Sequence, residues 1–356
     1  MKDMLQPDPE MYRVPYTTDD FHDMPYTLLG DSGLRASRVG LGTYKFGFPE
    51  TGDNARVDED TAMSILDRAV ELGVTFWDTA NRYNEGSGNS ERVIGRWFKK
   101  NPDQRRNIVL GTKVFGGMDG RTPNHSRLSR HNILDSVYAC LERLQVDHID
   151  LLYFHRYEID TPIEESLAAV EDLVQRDLVR YLGVSGFTPD QIKLYRAAEK
   201  QLSPRTRIIA LQNKFNILTG ENEDWAGALE YADRQNVSFI GFFPLERGLL
   251  TEKYLDKSSV GPGDRLVDEG TLEEDTAGEQ MEKVRKLAGL AHEWGWELNQ
   301  LALAYMLHLP GMGPVIPGCS NVEHLESNAE AGKIELTHEQ ILKVEEIVDL
   351  PVSALD

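Results

Sequence analysis

The sequence predicts an α/β fold: a (β/α)8 TIM barrel with an N-terminal hairpin and a long loop after strand 7. Three observations carry this. Short runs rich in β-branched and aromatic residues alternate with longer stretches of helical period, the pattern of βα units. Eight such runs occur, and eight strand-helix units close into a parallel barrel more naturally than they form an open sheet. Finally, 356 residues suit two domains of ~150 each, but α/β barrels with insertions also reach this size as one domain.

The first residues, "MKDMLQPDPEMYRVPYTTDDFHDMPY", are acidic, rich in Pro and Asp and without an apolar core. They resemble neither a signal peptide nor a membrane span. Residues 1–24 are therefore expected to be an arm outside the core, and residues 25–356 the barrel. "YTLLGDSGLRAS" has turn residues at its centre and reads as a hairpin plugging the barrel bottom. The strands follow as "RVGLGT", "VTFWDTA", "NIVLGTKV", "HIDLLYFH", "VRYLGVSG", "IIALQNKF", "VSFIGFFPL" and "GPVIPG". Between them, "DEDTAMSILDRAVELG", "RLSRHNILDSVYACLERLQ", "PIEESLAAVEDLVQRD" and "PDQIKLYRAAEK" place apolar residues three and four apart behind acidic or Pro starts, as helices do. Residues 246–278 are too long for an ordinary connection and read as a functional or mobile lid.

With 38 Lys+Arg against 59 Asp+Glu the formal charge is -21. Such a surface repels phosphate backbones and anionic membranes, so neither nucleic acid nor membrane is an expected partner. Cys140 and Cys319 show neither metal-ligand spacing nor a disulfide framework, which fits a reducing cytoplasm.

A barrel places its site at the C-terminal strand ends. Asp78 ends the second expected strand, Lys113 the third, His155 the fourth, Ser185 the fifth and Gln212 the sixth, with Tyr83 in the loop after Asp78. Singly, each has an ordinary structural explanation, as a turn cap, a rim charge or a satisfied core histidine. Together they converge on one mouth.

"FWDTANRYNEGSGNSERVIG", "LGTKV", "DHIDLLYFHR", "VRYLGVSGF", "ALQNKFNIL", "FFPLERGLLTEKY" and "VIPGCSNVEHLESNAEA" resemble, in order, the aldo-keto reductases, and most closely their bacterial and channel-β-subunit-like branches. The resemblance implies a barrel that binds a nicotinamide dinucleotide, NADPH with NADH as the second choice, and reduces a small-molecule aldehyde or ketone. It implies a catalytic tetrad of Asp78, Tyr83, Lys113 and His155. Hydride addition builds negative charge on a carbonyl oxygen, so a proton must arrive there. Tyr83 is the expected donor, Lys113 the cation favouring its phenolate, Asp78 the carboxylate holding Lys113, and His155 the hydrogen-bond partner of the oxygen.

Carried over residue by residue, the cofactor seat comprises Gly42, Thr43, Tyr44, Asp78, Ser185, Gly186, Gln212, Phe243, Pro244, Leu245 and Gly248. Lys253 and Arg265 would close over the phosphates, and Ser320, His324 and Asn328 would hold the adenosine end. Tyr44, Tyr83, His155 and Arg156 would touch the substrate. Polar loop residues Arg82, Asn84, Arg156 and Glu158, with a short tail, favour a sugar-like carbonyl. The family usually has Asn where Gly186 stands, often Arg or Lys at His324, and often Glu at Ser327.

Two rival readings remain. A glycoside hydrolase would use Glu158 and Glu246 as paired carboxylates, and a non-catalytic subunit would only sense the dinucleotide. No H-x-H or H-E-x-x-H pattern occurs, so no metal site is expected.

Overall fold

The computed structural model describes residues 18–118, 120–201 and 206–348. Strands β1 (Asp20–Phe21), β2 (Met24–Leu28) and β3 (Arg35–Ser37) form a small antiparallel sheet. The parallel sheet runs β4 (Leu41–Gly42), β5 (Phe76–Asp78), β6 (Val109–Val114), β7 (Ile149–Phe154), β8 (Val179–Ser185), β9 (Ile208–Asn216) and, beyond a short β10 (Gly220–Glu221) paired antiparallel to β9, β11 (Ser238–Phe242).

The expected hairpin is therefore β2–β3. Its Leu29 and Ala36 pack with Phe76, Leu151, Tyr153, Ile209, Ile240 and Ile316, which fill the inner face of the parallel sheet. The expected arm is described only from its residue 18 onward. Residues 1–17 lie outside the described residues, but Phe21 pairs with Met24, and Met24 is fully buried in the core.

The last expected strand, "GPVIPG", forms no regular strand. Pro314 and Pro317 lack the N–H groups that a ladder needs, and only Met312, Val315 and Gly318 make isolated parallel bridges, to Phe239, Val39 and Gly42. Residues on both sides of the sheet nevertheless bond to this segment, with Gly40 N donating to Val315 O at 2.8 Å and Phe239 N donating to Gly311 O at 2.9 Å.

Each expected helix forms. Asp58 caps Glu59–Glu71, Ser129 caps Arg130–Leu144, and Thr188 with Gln191 makes a capping box on Pro189–Glu199. These side chains take up N–H groups that the first helical turn cannot satisfy itself. Ile163–Gln175 starts after Pro162.

The long loop is fastened by polar contacts. It carries short turns at Glu252–Tyr254, Arg265–Asp268 and Leu272–Asp275 before the helix Gly278–Glu293. Arg56, from the loop after β4, reaches Gly263 O and Asp268, while Arg247 reaches Glu269 and Asp275. Among the described residues, no helix is long and apolar enough to cross a membrane.

Strand period now places the chemistry. Side chains alternate across a sheet, and Phe76, Val109, Leu151, Tyr153, Tyr181, Ala210 and Ile240 belong to the inner cluster. Two residues further along, Asp78, Gly111, His155, Gly183 and Gln212 share that face, and Lys113 and Ser185 follow two later still. Trp77, Leu110, Leu152, Leu182 and Leu211 face the helices in the larger core. Gly183 is needed as glycine, since a Cβ there would lie 2.7 Å from the Tyr153 ring that fills the inner face.

Candidate active site

Lys113 and Asp78 are each 1% exposed, and Lys113 Nζ donates to Asp78 Oδ1 at 2.5 Å. The same ammonium donates to Thr79 O at 2.8 Å and to Tyr83 Oη at 2.8 Å. Tyr83 Oη lies 3.2 Å from Asp78 Oδ1, and Gln212 Nε2 donates to Asp78 Oδ2 at 2.8 Å. A buried ammonium thus spends three donors on a carboxylate, a carbonyl and a phenol, the satisfaction that a buried charge requires. The His155 ring stands 6.1 Å from that of Tyr83.

Burial lowers Lys113 from its ordinary value, against the pull of Asp78. Burial and the Asp78 carboxylate push Tyr83 well up, opposite to the lowering expected from Lys113. The phenol is therefore held protonated, as a proton donor must be before it acts. Burial, with Lys113 and Arg156 nearby, lowers His155 to about 3. At neutral pH its imidazole is uncharged and can donate a hydrogen bond without being the proton source.

That value carries a stability consequence. His155 stays neutral in the folded state while the unfolded chain protonates near 6.5, so stability is unaffected above that pH and falls as pH drops toward 3. At pH 5 the loss is at most about 2 kcal/mol, since each pH unit below the unfolded value carries ~1.4 kcal/mol. Chemical denaturation at pH 7 and pH 5 should show a drop that His155→Gln reduces, and equal drops in both proteins would show that His155 is not the group responsible.

The expected cofactor residues divide into three groups. Tyr44, 39% exposed, stands edge-on to Tyr83 at 5.0 Å and to Phe243 at 6.4 Å, and the Arg265 guanidinium sits 5.2 Å over the Phe243 ring. These four side chains make a continuous line from Tyr83 outward. Ser185 and Gln212 pair in register at the ends of β8 and β9. Farther out, Ser320 Oγ lies 3.0 Å from His324 Nδ1, and Lys253, paired to Asp264 at 2.8 Å, is close enough to lower His324. Burial is the larger cause of that lowering.

Phe243, Glu246 and Arg247 all have positive φ, with Gly248 at 100°. Pro244 and Leu245 lie inside this turn, with Pro244 buried. Three non-glycine residues with positive φ in one short turn make a rarely populated backbone, found disproportionately at functional sites.

Several expected residues have other employment. Thr43 is fully buried, its hydroxyl donating to Asp78 O at 2.9 Å, beside Ser90. Gly42 lies at the end of β4 in register with Asp78. Asn328 is buried and accepts from Asn299. Gly186 has φ 67°, and Asn213 holds the turn by accepting from Gly186 N and donating to Phe187 O. Asn84 is buried on Phe46 O, and Arg82 donates to Gly117 O. Glu158 accepts from Leu128 N, Asp160 N and Thr161 N. Glu246 is buried on Lys214 and Asn216. The glycosidase pair is thus two structural carboxylates.

One buried residue lay beyond the sequence reading. Glu91, fully buried, accepts from Thr112 Oγ1 and pairs with Arg143 at 2.6 Å behind β6, where its charge also favours the ammonium form of Lys113. Only its place in "NSERVIG" could have signalled it.

A parallel α/β sheet with a buried lysine and carboxylate at neighbouring strand ends, joined by a tyrosine from the segment after the first of them, is a recognisable class of site. Residues 38–349 match the family model described as the aldo/keto reductase family. The chain is 31% identical over 344 residues to the aldo-keto reductase AMT2 of Alternaria alternata, covering 90% of each. It is 34% identical over 338 residues to the uncharacterized oxidoreductase YrpG of Bacillus subtilis, covering 92% of this chain and 97% of that protein. It is 31% identical over 337 residues to a putative voltage-gated potassium channel subunit beta of Schizosaccharomyces pombe, covering 92% and 94%. The chain belongs to the aldo/keto reductase family, oxidoreductases of carbonyl groups that generally use a nicotinamide cofactor.

Proposed function

We propose that this protein reduces an aldehyde or ketone with NADPH, on a barrel whose eighth position is the bridging segment 311–318. The single observation that carries the reading is the Lys113 ammonium bonded at once to Asp78 and Tyr83, beside a neutral His155. A bound nicotinamide supplies the hydride.

The residues present fit that group. Ser185 is 4% exposed at the end of β8, in register with Gln212, and its hydroxyl can donate. The Gln212 amide is oriented by its bond to Asp78, which leaves its carbonyl as an acceptor. One donor and one acceptor side by side suit a carboxamide. Tyr44 and Phe243 offer ring faces alongside, and Arg265, Lys253, Ser320 and His324 supply the outer groups for phosphate. Carbonyl reduction then asks three things of the chain. His155 and Tyr83 hydrogen-bond the substrate oxygen, Tyr83 releases its proton to it, and Lys113 stabilises the phenolate left behind.

The direct test is loss of NADPH absorbance with a panel of aldehydes, after binding by fluorescence titration. Tight binding with no turnover on any carbonyl would favour a dinucleotide-sensing subunit, the reading to which the channel-subunit relative lends support. Of the residues that favour a sugar-like substrate, Arg156 alone is exposed and unspent, next to His155. A panel in which kcat/KM rises with apolar chain length while polyhydroxy carbonyls are inert would overturn that preference.

NADPH preference rests on His324 and Arg265. His324 is uncharged at neutral pH until phosphate restores its proton, so the NADPH-over-NADH ratio of kcat/KM should fall as pH rises from about 6 to 8.5. His324→Arg should raise the ratio and flatten it, since guanidinium stays charged. A ratio below one throughout would defeat the assignment.

A further inference from the structure

Between β6 and the helix Arg130–Leu144, the chain makes one turn of 3-10 helix at Pro123–His125. His125, His131 and Asp135 each offer one ligand atom there, all within 4.8 Å of one another. His131 and Asp135 stand one helical turn apart on the exposed face, with His131 Nε2 3.4 Å from Asp135 Oδ2. The His125 and His131 rings are 5.7 Å apart, and the Thr122 hydroxyl lies 3.0 Å from His125 Nδ1.

We propose that these three side chains bind one divalent transition-metal ion of the zinc, cobalt or nickel type, at a site separate from the tetrad. Two donors on a tetrahedral ion with bonds of ~2.0–2.1 Å are about 3.3 Å apart. The His131–Asp135 separation already matches. His125 has farther to come, and it is carried by a three-residue turn, so side-chain rotation with a small shift of that turn brings it in. The donor set chooses the ion: two imidazoles and one carboxylate suit zinc, nickel and cobalt, whereas magnesium and calcium require oxygen ligands throughout. Thr122 can orient the first imidazole as an outer-shell partner does. The chain's charge of -21 also concentrates cations at the surface.

The site has a structural consequence. The ion would tie the segment before His125 to the helix, and that segment supplies Gly117 O to Arg82, the neighbour of Tyr83. Three protein ligands leave a coordination position for water. The spacing His-x5-His-x3-Asp escaped the sequence reading because no two histidines are close together and the Asp joins only through helical geometry.

The test is calorimetric titration of the chelator-treated full chain with Zn2+, in parallel with visible spectra on adding Co2+. The expected result is one ion per chain and a tetrahedral cobalt spectrum without thiolate charge transfer. His131→Gln and Asp135→Asn, both at exposed positions, should each weaken binding by at least ~10-fold while leaving carbonyl reduction without added metal unchanged. Affinity and stoichiometry unaltered in both variants, a thiolate-dominated cobalt spectrum, or no Zn2+ binding up to millimolar concentration would each overturn the proposal.

Discussion

Tyr83→Phe should lower carbonyl turnover by ~100-fold or more while leaving NADPH affinity within a few-fold of wild type. The phenol is the group that meets both requirements of a proton donor here. Burial and Asp78 keep it protonated, and Lys113 Nζ, 2.8 Å from its oxygen, compensates the charge that appears when the proton leaves. His155 cannot substitute, because at neutral pH it carries no proton beyond its neutral form. The ring of phenylalanine keeps the edge contacts with Tyr44 and His155, so the loss should fall on kcat and not on binding. The decisive measurement is single-turnover reduction, where product release does not mask the chemistry. Near-normal single-turnover rates would remove Tyr83 from the donor role. The parallel variant Glu246→Gln should reduce turnover much less, and the opposite ranking would restore the paired-carboxylate reading.

Asp78→Asn should have the largest effect on stability, about 3–5 kcal/mol, the usual result of leaving a buried charge without its partner. Asp78 accepts from Lys113 and Gln212 and lies beside Tyr83, and an amide would put a donor among donors. Lys113 has one alternative, which is to lose its proton. Burial already lowers it from its ordinary 10.5, and without Asp78 it falls further. A lysine whose folded value lies below its unfolded value destabilises the fold while the unfolded chain holds the extra proton. That cost is largest at low pH and disappears as pH rises toward 10.5. The stability deficit of Asp78→Asn against wild type should therefore narrow between pH 7 and pH 10, as read from denaturant midpoints. A deficit that is constant across that range would mean that lost packing, and not an uncompensated ammonium, causes it.

Much of this protein was legible as a line of residues because two short periods carry it. Alternation in "TFWDTA", "LGTKV" and "LLYFH" assigns Asp78, Lys113 and His155 to the inner face, once Phe76 and Tyr153 are known to be core. Helical period with Asp58, Ser129 and Thr188 before it marks the helix starts, since capping is a local matter of one side chain and one backbone N–H. The hairpin turn was legible for the same reason.

What only the tertiary structure decided are relations between distant parts of the chain. Gln212 meets Asp78 across 134 residues, Glu91 meets Arg143 across 52, and no local period specifies either pairing. The same holds for Glu158 and Glu246, which looked available in sequence and prove to be bound by loop N–H groups and by Lys214 and Asn216. The "GPVIPG" run has the apolar character of a strand but lacks the donors to be one, so its place between the two edges of the sheet depends on isolated bridges. The turn at Phe243–Gly248 is similar: apart from Gly248, its residue types do not call for positive φ, and backbone bonds from Glu246 N to Phe243 O and from Gly248 N to Leu245 O close it. Sequence thus determined which side chains stand at the strand ends, because that follows from backbone periodicity. The fold decided which of them remain free to act, because that depends on every partner which burial brings within hydrogen-bonding distance.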